Sequence, residues 1–450
     1  MRKLVVLLTL VLFVTACGNK GGGIGGGGSR RGFEAQPEDM VLIPAGSFLM
    51  GSNDEDVMWA MNSSPKQKTT DAFWMDQTEV TNLRYRRFVN WTADSIARRM
   101  LANEEVEGFY IEEEDEYEDD TDPSEYLLNY RTRIALNPKQ RGYDEHYPVL
   151  KENGFFYSKQ EALGQKRLID SRKLYYQMHW YDLQQAAKSK WDPTENRYIG
   201  KVTNMQGETS EVVDRSSFIM KEDIPVYPDT LAWIRDFDYS YNEPMATSYF
   251  WHPAYDYYPV VGVTWKQAMA FCDWRSKHAR EKTYKNQYKP HNYRLPMEVE
   301  FEYASRGGLP NNFYPWGSMY STNQFGCYLA NFKPQRGDYA LDGFSRTAPT
   351  ASYEPNDFGL YDMAGNVAEW VNDAYDENTY EATHDLVPTY HYHAKENDKI
   401  NKKRKVIRGG SWKDISYFMQ CGARDYEYQD SARTYIGFRT VRDAFITSLK

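Results

Sequence analysis

Only four of the 450 residues are cysteine, Cys17, Cys272, Cys327 and Cys421, so a scaffold framed by many disulfides is excluded. Apolar runs are equally scarce. Beyond residues 4–14 no segment stays apolar for the roughly 20 residues that cross a bilayer. Basic clusters interleaved with aromatic residues are missing and the net charge is −10, which argues against nucleic acid as a partner. Neither a Gly-x-Ser-x-Gly elbow nor a phosphate-cradling glycine loop occurs, so the best-marked hydrolase and nucleotide-binding signatures are absent. The eight histidines form no convincing ligand set. His384, His391 and His393 lie in a polar segment, but a His-x-His pair without a third ligand reads as an exposed loop, and His146, His179 and His252 have no partner pattern.

What is present starts at the N-terminus. Arg2 and Lys3 precede the apolar residues 4–14 and then Thr15-Ala16-Cys17, the pattern of a signal peptide over residues 1–16. Val14-Thr15-Ala16-Cys17 looks like a lipobox, whose cleavage leaves Cys17 as the lipidated N-terminus; the plainer alternative is an ordinary secretory signal that ends near a cysteine. Gly18 rather than Asp follows Cys17, and similarity to bacterial lipoproteins then implies lipid anchoring on the periplasmic face of the outer membrane. Residues 17–36 are rich in glycine and should tether the folded body with a root-mean-square span of roughly 20 Å. Removing Cys17 leaves three thiols, enough for at most one internal disulfide.

Residues 40–50 read as a strand entering a turn. Residues 79–91 read as an amphipathic helix capped by Thr81, with Tyr85, Phe88 and Val89 on one face. Thr264 should cap a second helix in which Trp265, Ala268, Met269 and Cys272 follow helical spacing. Pro296 suits the first turn of a third, with Glu298 and Glu300 favouring its dipole. Helical stretches are also expected at residues 168–177 and 181–191. Residues 112–120 hold eight acids interrupted by one tyrosine; such a run is a solvated loop or, more sharply, a contact for a basic partner or divalent cations. The aromatic-rich residues 239–255 are either core or an interface.

Val41-Leu42-Ile43-Pro44-Ala45-Gly46-Ser47-Phe48-Leu49-Met50-Gly51 opens a series of motifs. Next come Tyr293-Arg294-Leu295-Pro296 with Arg306-Gly307-Gly308, and the run from Asn356 through Gly365-Asn366-Val367-Ala368-Glu369-Trp370. Ile407-Arg408-Gly409-Gly410-Ser411-Trp412 and Gly437-Phe438-Arg439 close it. In that order the set resembles the formylglycine-generating, or sulfatase-modifying factor, family. The resemblance implies an α+β, loop-rich fold distantly related to C-type lectins, with one domain over 37–450 and an insertion at about 93–258. It implies calcium in two loops. The first would use Asn331, the carbonyl of Phe332, Asp342 and the carbonyl of Phe344; the second, Asp362, the carbonyls of Gly365 and Val367, and Glu369. Oxygen ligands of that kind suit calcium, whereas the alternative is that these acids cap turns and pair with Arg408 or Arg424.

Family enzymes bind copper through two cysteines shortly after the Gly-Gly-Ser-aromatic turn, because Cu(I) is soft. Here Asp414 stands about where the first thiol belongs, so no copper is expected. The resemblance also pairs the cysteines matching Cys272 and Cys421 with positions that are Thr440 and Ser305 here, which breaks both links. The expectation is a non-catalytic scaffold resembling lipoproteins of the type IX secretion and gliding-motility machinery. Its implied partners are a periplasmic ring protein of the GldN/PorN type, further copies of itself, and other components of that machinery. A glycan- or peptidoglycan-binding module is one alternative. An enzyme with a repurposed pocket around Trp412, Asp414 and Arg424 is another.

Overall fold

Proline and side-chain alternation shape the start of the chain. Met40–Ile43 pairs antiparallel with Phe73–Asp76, and Gly46–Met50 with Lys66–Thr70. The single strand expected at residues 40–50 is therefore two, since Pro44, which lacks an N–H, cannot sit in the ladder. The computed structural model describes residues 36–52, 63–111, 127–136, 138–162, 168–194, 196–237, 241–283 and 291–444. The signal peptide, Cys17, the tether and the acidic run at 112–120 lie outside them.

Gln36–Ala444 form one compact unit. One antiparallel sheet has the order Met40–Ile43, Phe73–Asp76, Val441–Asp443, Tyr293–Arg294, so strands from the two ends of the domain flank Phe73–Asp76 in one sheet. The other runs Asp425–Tyr428, Arg404–Arg408, Ala368–Ala374, Ile436–Gly437, with the last pair parallel. The central strand Ala368–Ala374 is buried throughout, as expected of a strand covered on both faces.

Three helices support these sheets. Asn82–Asn103 starts where the Thr81 hydroxyl accepts the Arg84 N–H at 3.4 Å. Its buried stripe of Tyr85, Phe88 and Val89 continues through Ala93, Ala97 and Leu101, and four-residue spacing carries the helix past Ala93 to Asn103. Trp265–Thr283 opens on a reciprocal cap, Gln267 N to Thr264 Oγ1 at 3.2 Å and Thr264 N to Gln267 Oε1 at 2.8 Å. Trp265, Ala268 and Cys272 are buried in the main core and Met269 is packed against it. Glu298–Arg306 begins after Met297, whose N–H donates to Glu300 at 2.8 Å. That cap places Pro296 ahead of the helix rather than in its first turn.

Between the first two helices the chain builds its own satellite. Tyr175–Tyr181 pairs with Ile219–Pro225 as a ribbon, and Val202, Val212, Phe218 and Met220 form a small core beside it. The helix expected at residues 168–177 is instead a short turn, Ser171–Lys173, followed by the ribbon strand. The reason is a period of two: Tyr176 and Met178 are buried while Tyr175, Gln177 and His179 face solvent. Within 181–191 only Leu183–Lys188 is helical, capped by Asp182. Of the closing aromatics, Tyr249 and Phe250 are core while Tyr241 and Trp251 are exposed. Among the described residues no helix is long and apolar enough to cross a membrane.

Candidate functional site

Strand Arg404–Arg408 leads into a turn that needs its glycines. Gly409 and Gly410 have φ of 89° and 67°, and a Cβ on Gly410 would stand 2.8 Å from the Phe418 carbonyl. Just beyond, the Asp414 carboxylate accepts the Ser411 N–H at 3.1 Å and the Ser411 hydroxyl at 2.5 Å, while its second oxygen meets Lys413 at 3.1 Å. The carboxylate expected at the place of a thiol is thus spent closing its own turn.

The insertion covers the same turn. Trp412 stacks on Trp233 at 6.4 Å and meets Phe237 at 5.3 Å. Asp236 fastens this contact by accepting the Thr434 N–H at 3.0 Å and pairing with Arg433 at 3.1 Å.

Beneath the turn lies a buried ion network. Glu302 accepts Arg306 at 2.7 Å and the Gly51 N–H at 2.8 Å, and it is also bonded by Arg408. Glu298 is held by Arg424 at 2.6 and 3.0 Å. Burial opposes the charge on Glu302, but Arg306 and Arg408 outweigh it and keep the carboxyl below its usual range. Cys421 shares this environment: burial pushes its thiol up to about 11, and it hydrogen-bonds Ser305. Cys272 is buried and raised for the same reason, and the nearby Thr440 hydroxyl is taken by Asp76 and Arg275. Cys272, Cys327 and Cys421 are all free thiols, with Cys327 exposed.

The two loops expected to hold calcium differ from each other. In the first, Asp342 accepts the N–H groups of Phe332 at 2.7 Å and Phe344 at 3.4 Å, and desolvation raises its pKa. Asn331 donates to the Arg346 carbonyl at 2.8 Å, which leaves its own Oδ1 buried with no hydrogen-bond partner. In the second, Glu369 pairs with Arg439 through bonds of 2.6 and 2.7 Å, rather than with Arg408 or Arg424. Asp362 accepts the Ala351 N–H at 2.7 Å. Gly365 packs so closely that a Cβ there would lie 2.5 Å from the Asn331 carbonyl. Val367 buries its side chain against the cluster of Trp233 and Tyr249.

A third acid joins this second group. Glu79 accepts Asn366 Nδ2 at 3.0 Å with one oxygen; its other oxygen is buried with no N–H donor, and the carboxyl hydrogen-bonds the Asp362 side chain, which requires a proton between them. Burial, then the charges of Asp362 and Glu369, raise its pKa well above the ordinary value. Nothing in the local spacing of Glu79 marks it, because its neighbours come from residues almost 300 positions away. Among the described residues no three His, Cys, Asp or Glu side chains form a metal-ligand group. His391 and His393 meet edge to face at 5.2 Å, but His393 also stacks on Trp180 at 5.0 Å and His384 accepts the Leu386 N–H, so the three form no ligand set.

Residues 29–444 match the sulfatase-modifying factor enzyme 1-like domain. The formylglycine-generating enzyme of Bos taurus is 25% identical over 429 residues, which is 93% of this chain and 78% of that protein. The inactive C-alpha-formylglycine-generating enzyme 2 of Bos taurus is 33% identical over 193 residues, 42% of this chain and 51% of its own length. Among solved structures, PvdO from Pseudomonas aeruginosa is 19% identical and covers 91% of this chain and 96% of its own, with a TM-score of 0.41.

Proposed function

The chain belongs to the sulfatase-modifying factor enzyme 1-like family, a family that includes inactive members, and within it we propose a non-catalytic scaffold lipoprotein. The carrying observation is Asp414: its carboxylate stands where a soft metal needs a thiolate and is already hydrogen-bonded to Ser411. Cys421 offers no substitute, since its thiol is buried against Ser305. The insertion's Trp233, Phe237 and Asp236 cover the turn from outside. Copper does not fit this set, and no step is assigned to it.

Calcium would be a structural ion here, with its donors only part-assembled: Arg439 holds both oxygens of Glu369, and among the described residues no three acids converge as a ligand group. Glu79, Asp362 and Glu369 face one guanidinium, and the buried oxygens of Glu79 and Asn331 that no N–H reaches are the hard donors that calcium takes. Asp342, with the carbonyls of Phe332 and Phe344, would complete the first site. The carbonyls of Gly365 and Val367 would complete the second.

The lipobox, the glycine tether and the Tyr-rich insertion support a finer reading, a protein resembling GldK/PorK that assembles with a GldN/PorN-like partner beneath the outer membrane; the related GldJ is the alternative of the same class. A lipid on Cys17 would confine the body to a surface, where weak contacts between copies add up. The test is the native size and composition of the tagged protein, extracted from outer membranes in mild detergent. A large particle with a second periplasmic protein at fixed ratio is expected. A lone monomer that binds glycans with tryptophan quenching overturns the scaffold.

A further inference from the structure

Lys405 lies within strand Arg404–Arg408, between Glu427 on one neighbouring strand and Ala374 on the other, and is fully buried. Its Nζ donates to the Tyr392 carbonyl and sits 3.8 Å from the centre of the Trp265 ring. Among the described residues no carboxylate comes within salt-bridge distance of it. Glu427 is taken by Arg433, and Lys266 by Glu222 and Asp430.

Three separate pieces of chain meet at this amine. Trp265 begins the second body helix. His393, from residues 389–398, packs edge-on to Trp265 at 5.3 Å and stacks on Trp180 of the insertion ribbon at 5.0 Å. The same segment continues onto the tip of the insertion, with Glu396 N to the Met205 carbonyl at 3.2 Å and Lys395 Nζ to the Thr203 carbonyl at 2.7 Å.

We propose that Lys405 is a pH-operated latch: uncharged, it seats residues 389–398 and the insertion tip on the body, and on gaining a proton it weakens that seat.

Burial pushes Lys405 down to about 7, with Asp373 only partly opposing and Lys266 adding to the fall. In an opened form the amine reaches water and keeps its ordinary value. As pH falls from about 10.5 to about 7, the open form takes a proton that the closed form refuses. Closure then weakens by up to about tenfold per pH unit. Below about 7 both forms are charged and this contribution is flat.

The other groups facing the site act elsewhere on the pH scale. His393 is held neutral by burial and adds to opening only below its ordinary value. Asp373, which accepts the Tyr390 N–H, is raised by burial to about 6 and has the opposite sign, since its protonation favours the closed form. Asp430 and Lys266 pair with each other at 3.0 Å. His391, edge-on to His393 at 5.2 Å, is lowered to about 4 by burial, with Lys405 and Arg294 adding to the fall, and it too acts only below its ordinary value. The window from pH 6.5 to 9 therefore isolates Lys405.

Hydrogen-exchange protection of the Glu396 amide in the full chain is the direct readout. Between pH 9 and 6.5 its protection factor should fall by about 10- to 100-fold, while the Phe301 amide in helix Glu298–Arg306 should not change. In Lys405→Met the slope should vanish and protection should stay high. A pH-independent Glu396 protection factor in the unaltered protein overturns the latch, and so does a slope that survives in Lys405→Met. If that variant does not fold, the unaltered protein's profile alone decides.

Discussion

Two buried charge networks sit under the same surface and are built on opposite balances. Around Glu298 and Glu302, two carboxylates face Arg306, Arg408 and Arg424, and both are paired. Around Glu369, three carboxylates share the guanidinium of Arg439, and one oxygen of Glu79 has no N–H partner. The first network is closed and acts as structural cement for the Gly-Gly-Ser-Trp turn. The second carries surplus negative charge, which in a dry interior calls for a proton or a cation. The lesson is that burial alone does not mark a functional group; a mismatch in the count of charges does.

The sharpest way to break the comparison is Arg439→Met, which strands Glu369 in the core. A loss of about 3–5 kcal/mol in denaturant unfolding is expected, and a loss below 1 kcal/mol would show that the pair is not the keystone of the second network. Next comes Ser305→Cys beside the first network. Its thiol should close on Cys421 under oxidising conditions, linking a loop of about 115 residues and adding about 2–4 kcal/mol. Free-thiol counting checks it: four reactive thiols besides Cys17 in the denatured variant, rather than two, would mean that the side chains do not meet.

Calcium tests the second network from outside. Ion bound at a hundred times its dissociation constant stabilises by about 2.7 kcal/mol, so chelator should lower the melting temperature by a few degrees, and Glu369→Ala should reduce that response to the share of the first site. An equal response to chelator in both proteins would remove this site. The smallest effect is expected from Glu79→Gln. The raised pKa of Glu79 means that its contribution is present below about 4.5 and lost as pH rises through the folded value. Without calcium, the amide should therefore stabilise the protein at pH 8 and change nothing at pH 4. The reverse dependence would show that Glu79 is ionised and well paired.

Local rules located much of the framework. Thr81 and Thr264 cap their helices as read, because a cap needs only a hydroxyl and the N–H groups of the next turn. The same locality misled at residues 168–177, where aromatic and charged residues suited a helix until Ile219–Pro225 paired with the strand and settled a period of two. Pro296 lies one residue before the Met297 cap, because the contact from Met297 N to Glu300, rather than the proline, sets the helix start.

What the sequence determined by itself is the family framework and the presence of Asp414 three residues after Ser411, since both are statements about residue identity in order along the chain. What only the tertiary structure decided is the state of the buried charges. Glu79, Glu369 and Arg439, like Lys405 and Trp265, are far apart in the chain. Their ionisation depends on desolvation and on which opposite charges lie within a few ångströms, quantities that exist only once the core has closed.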